Sequence, residues 1–363
     1  MDRRIVVFGA TGYTGRLVAE RLVSSGAQPV LAGRNVSRLE ELAASLGGLE
    51  VARGDALRQN TVFELVESAD DVLVSTVGPF VKWGGPAVRA AVSAGCTYLD
   101  STGEPEFVRR VFGELGGPAA RSGARLMTAM GYDYVPGALA GALAVSEAGE
   151  DAVRVDVGYY ALGGMVNSLS AGTKVSSVGA MLSDGHAFRG GGVVSVRSAE
   201  RVRSFSVAGR ERPAISVGGA EHFSLPAAYP GLREVNVYLG WFGPLARPLQ
   251  MGSWVGSFVT RVPGSRAAMQ AVGERVAGLV PDPEPGTTPG GRSWIAAEAF
   301  AAGGERLAEV HVAGVDGYEF TAAFMAWAAR ERVEGAGALG PVEAFGLSRL
   351  EEGCRVAGLD RVR

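Results

Sequence analysis

Residues 5–15, IVVFGATGYTG, leave few options for the start of this chain. Four β-favouring residues, Ile5 to Phe8, run into glycines at 9, 12 and 15, and apolar residues at helical spacing (Leu17, Val18, Leu22, Val23) follow at once. The pattern predicts a buried strand, a tight turn and a helix start. One glycine permits the turn, a second lets backbone N–H groups approach a pyrophosphate, and a third lets helix lie close on strand, with the helix N-terminus facing the anion. Gly9, Thr11, Gly12, Tyr13, Thr14 and Gly15 are therefore the first cofactor-binding candidates. In a chain with 54 glycines the spacing alone is weak; its position after a strand and before a helix gives it weight.

A second strand, Pro29 to Ala32, closes in Gly33-Arg34-Asn35. An NAD-binding domain usually places an acid on the ribose 2′-hydroxyl about twenty residues after the glycines. Here an arginine stands in that place. Its planar fork suits a 2′-phosphate, with Asn35, Ser37 or Arg38 as helpers, which points to NADP(H); the competing reading is a solvated loop arginine ahead of the helix Ser37 to Leu46. After a third strand at Leu49 to Ala52, Asp55 either borders the adenine or caps the next helix. The run Asp71 to Val77 has the continuous apolar character of a parallel strand and ends in Gly78-Pro79-Phe80. That turn is expected beside the nicotinamide half of the cofactor, Gly78 allowing close approach and Pro79 and Phe80 walling the pocket, unless it is a plain turn with packing.

Strands at Thr97 to Asp100 and Arg125 to Ala129, with helices between, complete the alternation of a Rossmann-type α/β domain. Asp100 and Glu104 follow one strand end, so one could bond a ribose hydroxyl while the other caps a helix; proton transfer is the alternative. Gly131-Tyr132-Asp133-Tyr134 follows the last strand. Tyr132 and Tyr134, as phenolic donors, and Asp133 are the candidates for orienting a substrate or delivering a proton, against a hinge held by hydrogen bonds.

With 363 residues, two domains are expected. From Gly137 the pattern changes: an alanine-rich helix, a strand of period two at Ala152 to Ala161, and a helix at Asn167 to Leu182 carrying Lys174. Lys174 either binds an anionic group or donates a proton, or is a solvated helix-face lysine. Short strands at Val193 to Val196, Arg203 to Val207, Ala214 to Val217 and Glu234 to Leu239, then Ser293 to Ala301 and Arg306 to Gly314, suit an antiparallel or mixed sheet. Helices are expected at Pro244 to Val262 and Ser265 to Leu279, and a proline- and glycine-rich loop at Pro281 to Gly291. The pattern predicts a second α+β domain whose sheet could also make a homodimer interface.

Two cysteines, Cys96 and Cys354, suit a reducing cytoplasm, and a net charge of −3 gives no case for nucleic acid. His186, His222 and His311 lack metal-ligand spacing, so no metal is expected. The N-terminus runs directly into a strand, without a signal peptide, and the most membrane-like stretch, Trp241 to Thr260, is interrupted by Pro244, Arg247 and Pro248.

GATGYTG, then VGPF followed by Trp83-Gly84-Gly85-Pro86, then YLDSTGE (Tyr98 to Glu104), then GYDYVP (Gly131 to Pro136) occur in this order. Together they resemble the saccharopine dehydrogenase-like oxidoreductases, and GPFVKWGGPAV is similar to their trans-acting enoyl reductase branch. Gly340 to Gly346 resembles the family's closing segment. The resemblance implies that the helix Tyr318 to Arg332 and the last helix, Leu347 to Ala357, return to a discontinuous Rossmann domain of residues 1–136 and 318–363, with 137–317 as the substrate domain. It also implies an NADPH-dependent reductase acting on a small-molecule C=C (enoyl-type) bond. A C=N reductase or amino-acid dehydrogenase would need arginines converging on the nicotinamide, and Arg189, Arg197 and Arg233 are dispersed. A nonenzymatic NADP(H)-binding sensor or scaffold is the third reading.

Overall fold

The computed structural model describes residues 3–162, 185–241, 246–248, 250–251 and 291–362. Lys174 with its expected helix, and nearly all of the helices and loop expected from 244 to 291, lie outside the described residues. In chain order the strands are β1 (Ile5–Phe8), β2 (Val30–Gly33), β3 (Val51–Arg53), β4 (Val72–Ser75), β5 (Thr97–Asp100), β6 (Arg125–Met127), β7 (Arg154–Leu162), β8 (Gly185–Arg189), β9 (Gly192–Val196), β10 (Val202–Val207), β11 (Arg210–Val217), β12 (Glu234–Leu239), β13 (Arg292–Phe300), β14 (Arg306–Gly314), β15 (Gly337–Ala338) and β16 (Leu359–Arg361).

The chain divides into two compact units. The first comprises Met1–Thr102, Phe107–Asp133 and Gly317–Gly358. Its sheet runs β15-β6-β5-β4-β1-β2-β3, and every pairing is parallel. The chain leaves β1 in one direction through β2 and β3 and returns to lay β4 on the other side of β1. That reversal opens a crevice at the carboxyl ends of β1 and β4, where doubly wound sheets take their ligands. β1, β2, β4 and β5 are buried along their whole length, as their unbroken apolar runs require. The helix Tyr13–Ser24 covers the sheet with Val18, Ala19 and Leu22. The helix Gly317–Arg330 then lies on it, Tyr13 meeting Tyr318 edge-on at 5.0 Å and Arg21 pairing with Glu319 at 3.2 Å.

The second unit comprises Gly103–Glu106, Tyr134–Asp316 and Leu359–Arg363. Its mixed sheet runs β10-β11-β12-β7-β13-β14-β16, with β8 on β12 and β9 on β8; β12 is parallel to β7 and the other pairs are antiparallel. One face of β7 lies against the helix Val135–Ala148, where Gly137 N–H donates to the Tyr159 hydroxyl at 2.9 Å and a Cβ at Gly141 would stand 3.3 Å from Val157. That helix is apolar on nearly every side, as a helix buried all round must be. On the opposite face β10 folds back over the sheet. Phe205 fills the space above Gly158 and meets Tyr160 and Tyr238 edge-on at 6.3 and 5.5 Å.

Two segments depart from the sequence reading, and a third shows a local irregularity. Leu359–Arg361, assigned with 318–363 to the Rossmann domain, pairs with β14 in the second sheet, with Arg361 held to Glu147 at 2.6 Å. A three-residue strand is too short to show a period. The helix expected at Ser37 starts at Val36, because Asn35 caps it, accepting from Arg38 N–H at 3.1 Å. The helix begun at Pro105 loosens into a π-turn at Val111–Leu115 before Gly116–Ser122. No helix among the described residues is long and apolar enough to cross a membrane.

Candidate functional site

Gly9 has φ +93°, so only a glycine leaves β1 this way without strain. Its N–H donates to Ala32 O at 2.8 Å, and Gly12 N–H donates back to Gly9 O at 2.9 Å, closing the turn. A Cβ at Gly15 would lie 2.2 Å from Gly9 O and 2.7 Å from Thr76 Oγ1, so helix and turn touch because nothing stands between them. Gly12 caps the helix without a side-chain bond, and its first turn holds no acid. Its free N–H groups and positive dipole end thus remain available to an anion. Thr11 and Thr14 are half-buried beside it, and no described group bonds their hydroxyls. The Tyr13 ring turns toward Tyr318 instead.

At the ends of β2 and β3, Arg34, Arg38 and Arg53 are exposed, and among the described residues none has an ion-pair or side-chain hydrogen-bond partner. Asn35, expected as a helper there, has its carbonyl committed to the cap. Asp55 accepts Leu57 N–H at 3.0 Å, and its own N–H meets Thr61 Oγ1 at 2.9 Å. Its carboxylate thus takes the turn role rather than the adenine edge.

Beyond β4, Thr76 donates its hydroxyl to Phe8 O and Gly9 O at 3.2 and 3.3 Å. Sequence reading missed this residue, although a hydroxyl at the carboxyl end of the strand beside β1 is a signal worth testing. Gly78 is exposed and joined to Pro79 by a cis peptide. Phe80, expected as a pocket wall, is buried in the core with its ring 5.6 Å from Phe107. It starts the short helix Phe80–Trp83, of which it alone is buried.

Asp100 does neither of the jobs expected of it. Its carboxylate accepts Thr102 N–H (2.9 Å), Ala129 N–H (2.8 Å) and the Thr128 hydroxyl (2.7 Å), tying the end of β5 to the end of β6. Burial raises this carboxyl to about 6 against the pull of those bonds. The loop it steadies carries Tyr132, whose N–H donates to Thr321 Oγ1 at 3.0 Å and whose ring lies edge-on to Phe320 at 6.4 Å. Asp133 follows, half-buried and unbonded among the described residues, and desolvation alone raises it to about 6.

In the second unit, Tyr134 donates to Gly103 O at 3.1 Å. His186 and His222 are buried and edge-on at 5.3 Å, and both bond Gly219. Burial, with His186 beside it, pushes His222 well below the usual histidine range, so it stays neutral. No metal-holding cluster occurs among the described residues.

The glycine turn, which a single Cβ would fill, and the uncapped helix start fit a dinucleotide pyrophosphate. Residues 9–101 match the NAD(P)H-binding family. The fold matches that of an apo, histidine-tagged saccharopine dehydrogenase (L-Glu forming) from Saccharomyces cerevisiae, with a TM-score of 0.59 at 12% identity over 99% of this chain and 100% of that one. Over 138 residues the chain is 40% identical to a candidate trans-acting enoyl reductase of Mycobacterium tuberculosis and 38% identical to the trans-acting enoyl reductases of Mycobacterium bovis and Mycobacterium leprae. The chain shares its fold with a saccharopine dehydrogenase and carries an NAD(P)H-binding region at residues 9–101. Each of those matches covers 36% of this chain and 33% of the relative, so the chain spans about a third of the length of the curated relatives it matches. Residues 9–101, which match the NAD(P)H-binding family, lie in the first unit.

Proposed function

We propose that this saccharopine dehydrogenase-like chain is an NADP(H)-dependent oxidoreductase that reduces an enoyl-type C=C bond of a small or lipid-like metabolite. The observation that carries the reading is the glycine turn at the β1/β4 reversal with unpaired arginines at the next two strand ends. Gly9, Thr11, Gly12, Thr14 and Gly15 hold the pyrophosphate, Arg34 and Arg38 the 2′-phosphate, and Gly78 and Pro79 border the nicotinamide. When bound, the nicotinamide supplies the hydride. Asp133 is the proton carrier: a carboxyl raised to about 6 keeps a protonated fraction near neutral pH, and no neighbour competes for it. Tyr132 lies next to it in the chain and orients the substrate, and Lys174 is a further candidate for a substrate anion or the proton. Support for the enoyl class comes from the relatives' names and from the arginines of the second unit. Arg189 is tied to Glu200 at 2.5 Å and Arg201 to Glu234 at 2.7 Å, which leaves neither free to collect a dicarboxylate.

The fold shared with a saccharopine dehydrogenase favours a second reading, reduction of C=N bonds. A homodimer through the second sheet and a cytoplasmic setting belong to the same proposal. Following NADPH oxidation with enoyl thioesters, imines and keto acids separates the cases. Turnover of thioesters alone is expected; turnover of imines or keto acids supports the second reading, and tight NADPH binding without any turnover supports a sensor.

A further inference from the structure

Several arginines of the first unit are held by acids. Arg4 is paired with Glu50 and Asp71 at 3.5 and 3.9 Å, Arg16 with Glu20 at 2.8 Å, and Arg21 with Glu319 at 3.2 Å. Arg34, Arg38 and Arg53 are paired with nothing described, although the chain has 38 acids against 35 basic residues. Three guanidinium groups without counter-charge in one neighbourhood repel one another, which destabilises the free chain slightly and favours an anion.

Register brings Arg53 into this group. In the parallel pairing of β2 and β3, Leu31 stands opposite Val51, Ala32 opposite Ala52 and Gly33 opposite Arg53. Arg53 is thus next to the residue that precedes Arg34, although nineteen positions separate the two arginines in sequence. Opposed residues share a sheet face, and a Cβ at Gly33 would point toward Leu39, so Arg53 emerges on the side of the helix Val36–Ser45, whose first turn holds Arg38. The backbone there is fixed. Gly54 N–H donates to Gly33 O at 3.0 Å, and a Cβ on Gly54 would stand 2.9 Å from Leu65 and 3.0 Å from Phe8. A long flexible cation therefore starts from a rigid platform.

We infer that Arg53 is a second specificity-determining cation of the dinucleotide site, gripping the phosphomonoester on the adenosine ribose together with Arg34. This rests on the NADP(H) reading above. A dianionic phosphate with three terminal oxygens accepts from two forks at once, while an unphosphorylated ribose offers neither fork a charge.

The test is equilibrium titration of the full chain with NADPH, NADH and adenosine 2′,5′-bisphosphate, for wild type, Arg53→Ala and Arg53→Lys. One charge-assisted bond is worth about tenfold in affinity. Arg53→Ala should weaken NADPH and the bisphosphate by about that factor, leave NADH within about twofold, and flatten the salt dependence of NADPH binding; Arg53→Lys should recover part of the loss. Because Arg53 is exposed, an unchanged melting curve is expected for both variants. Unchanged NADPH affinity in Arg53→Ala, or equal losses for NADPH and NADH, overturns the role of Arg53 while the NADP(H) reading stands. A wild-type chain that binds neither dinucleotide overturns both.

Discussion

Thr76 Oγ1 lies 3.3 Å from the carbonyl oxygen of Gly9 and donates to it, joining the end of β4 to the turn after β1. The same carbonyl accepts Gly12 N–H at 2.9 Å, so one oxygen fixes both the turn and the strand beside it. A methyl group on Gly15 would enter that space, 2.2 Å from the Gly9 oxygen. Gly15→Ala is therefore expected to push the helix off the strand, at a cost of about 1–3 kcal/mol in stability. NADPH affinity should fall further than stability does, because the helix N-terminus moves with it. Thermal melts and a dinucleotide titration on the same sample check both.

Arg34 has no partner among the described residues, so its replacement disturbs no internal bond. Arg34→Asp places a carboxylate where a phosphate is to sit and where an NAD-specific domain keeps its acid. NADPH binding is expected to weaken at least about tenfold more than NADH binding. Equal losses for the two cofactors would remove the case for 2′-phosphate recognition.

Asp156 and Glu298 face each other across β7 and β13, both buried, and Arg203 from β10 pairs with both. Arg154 stands 3.7 Å from Asp156 and Arg306 3.3 Å from Glu298, so without Arg203 the two buried carboxylates repel but each keeps one other counter-charge. Arg203→Ala should destabilise the chain by about 1–3 kcal/mol, and adding Glu298→Gln should return part of the loss. Urea unfolding of the single and double variants decides it. A single variant within about 0.5 kcal/mol of wild type would show that water reaches the pair.

How much of this was legible in the sequence depended on the range of the interaction. The β1 turn and the alternating strands β13 and β14 are set by neighbours a few residues apart, and periodicity displays them. Arg53 beside Gly33, Thr76 over Gly9 and Asp100 holding Ala129 are products of sheet register, which no local pattern encodes. Phe80 illustrates the converse. A phenylalanine after a turn reads as a pocket wall until the fold supplies Phe107 as its neighbour.

Asp133 offers the sharpest separation of a catalytic from a structural role. Its carboxyl is raised by burial from an ordinary 3.8 to about 6 in the folded chain. The folded state therefore holds a proton that the unfolded state releases, so stability falls as pH rises between those two values and is level above them. Asp100 is raised to about 6 as well, so the wild-type stability profile contains both groups. The difference between wild type and Asp133→Asn isolates one. Because the variant carries no buried charge at neutral pH, it should be at least as stable as wild type there, with a flatter profile below pH 6. Turnover should behave in the opposite way. If the protonated carboxyl delivers the proton, kcat declines as pH rises past about 6, and Asp133→Asn lowers kcat by about 10²–10⁴ and abolishes that limb. A variant with the expected stability profile and undiminished turnover would leave Asp133 as a half-buried hinge residue, and the proton would have to come from elsewhere.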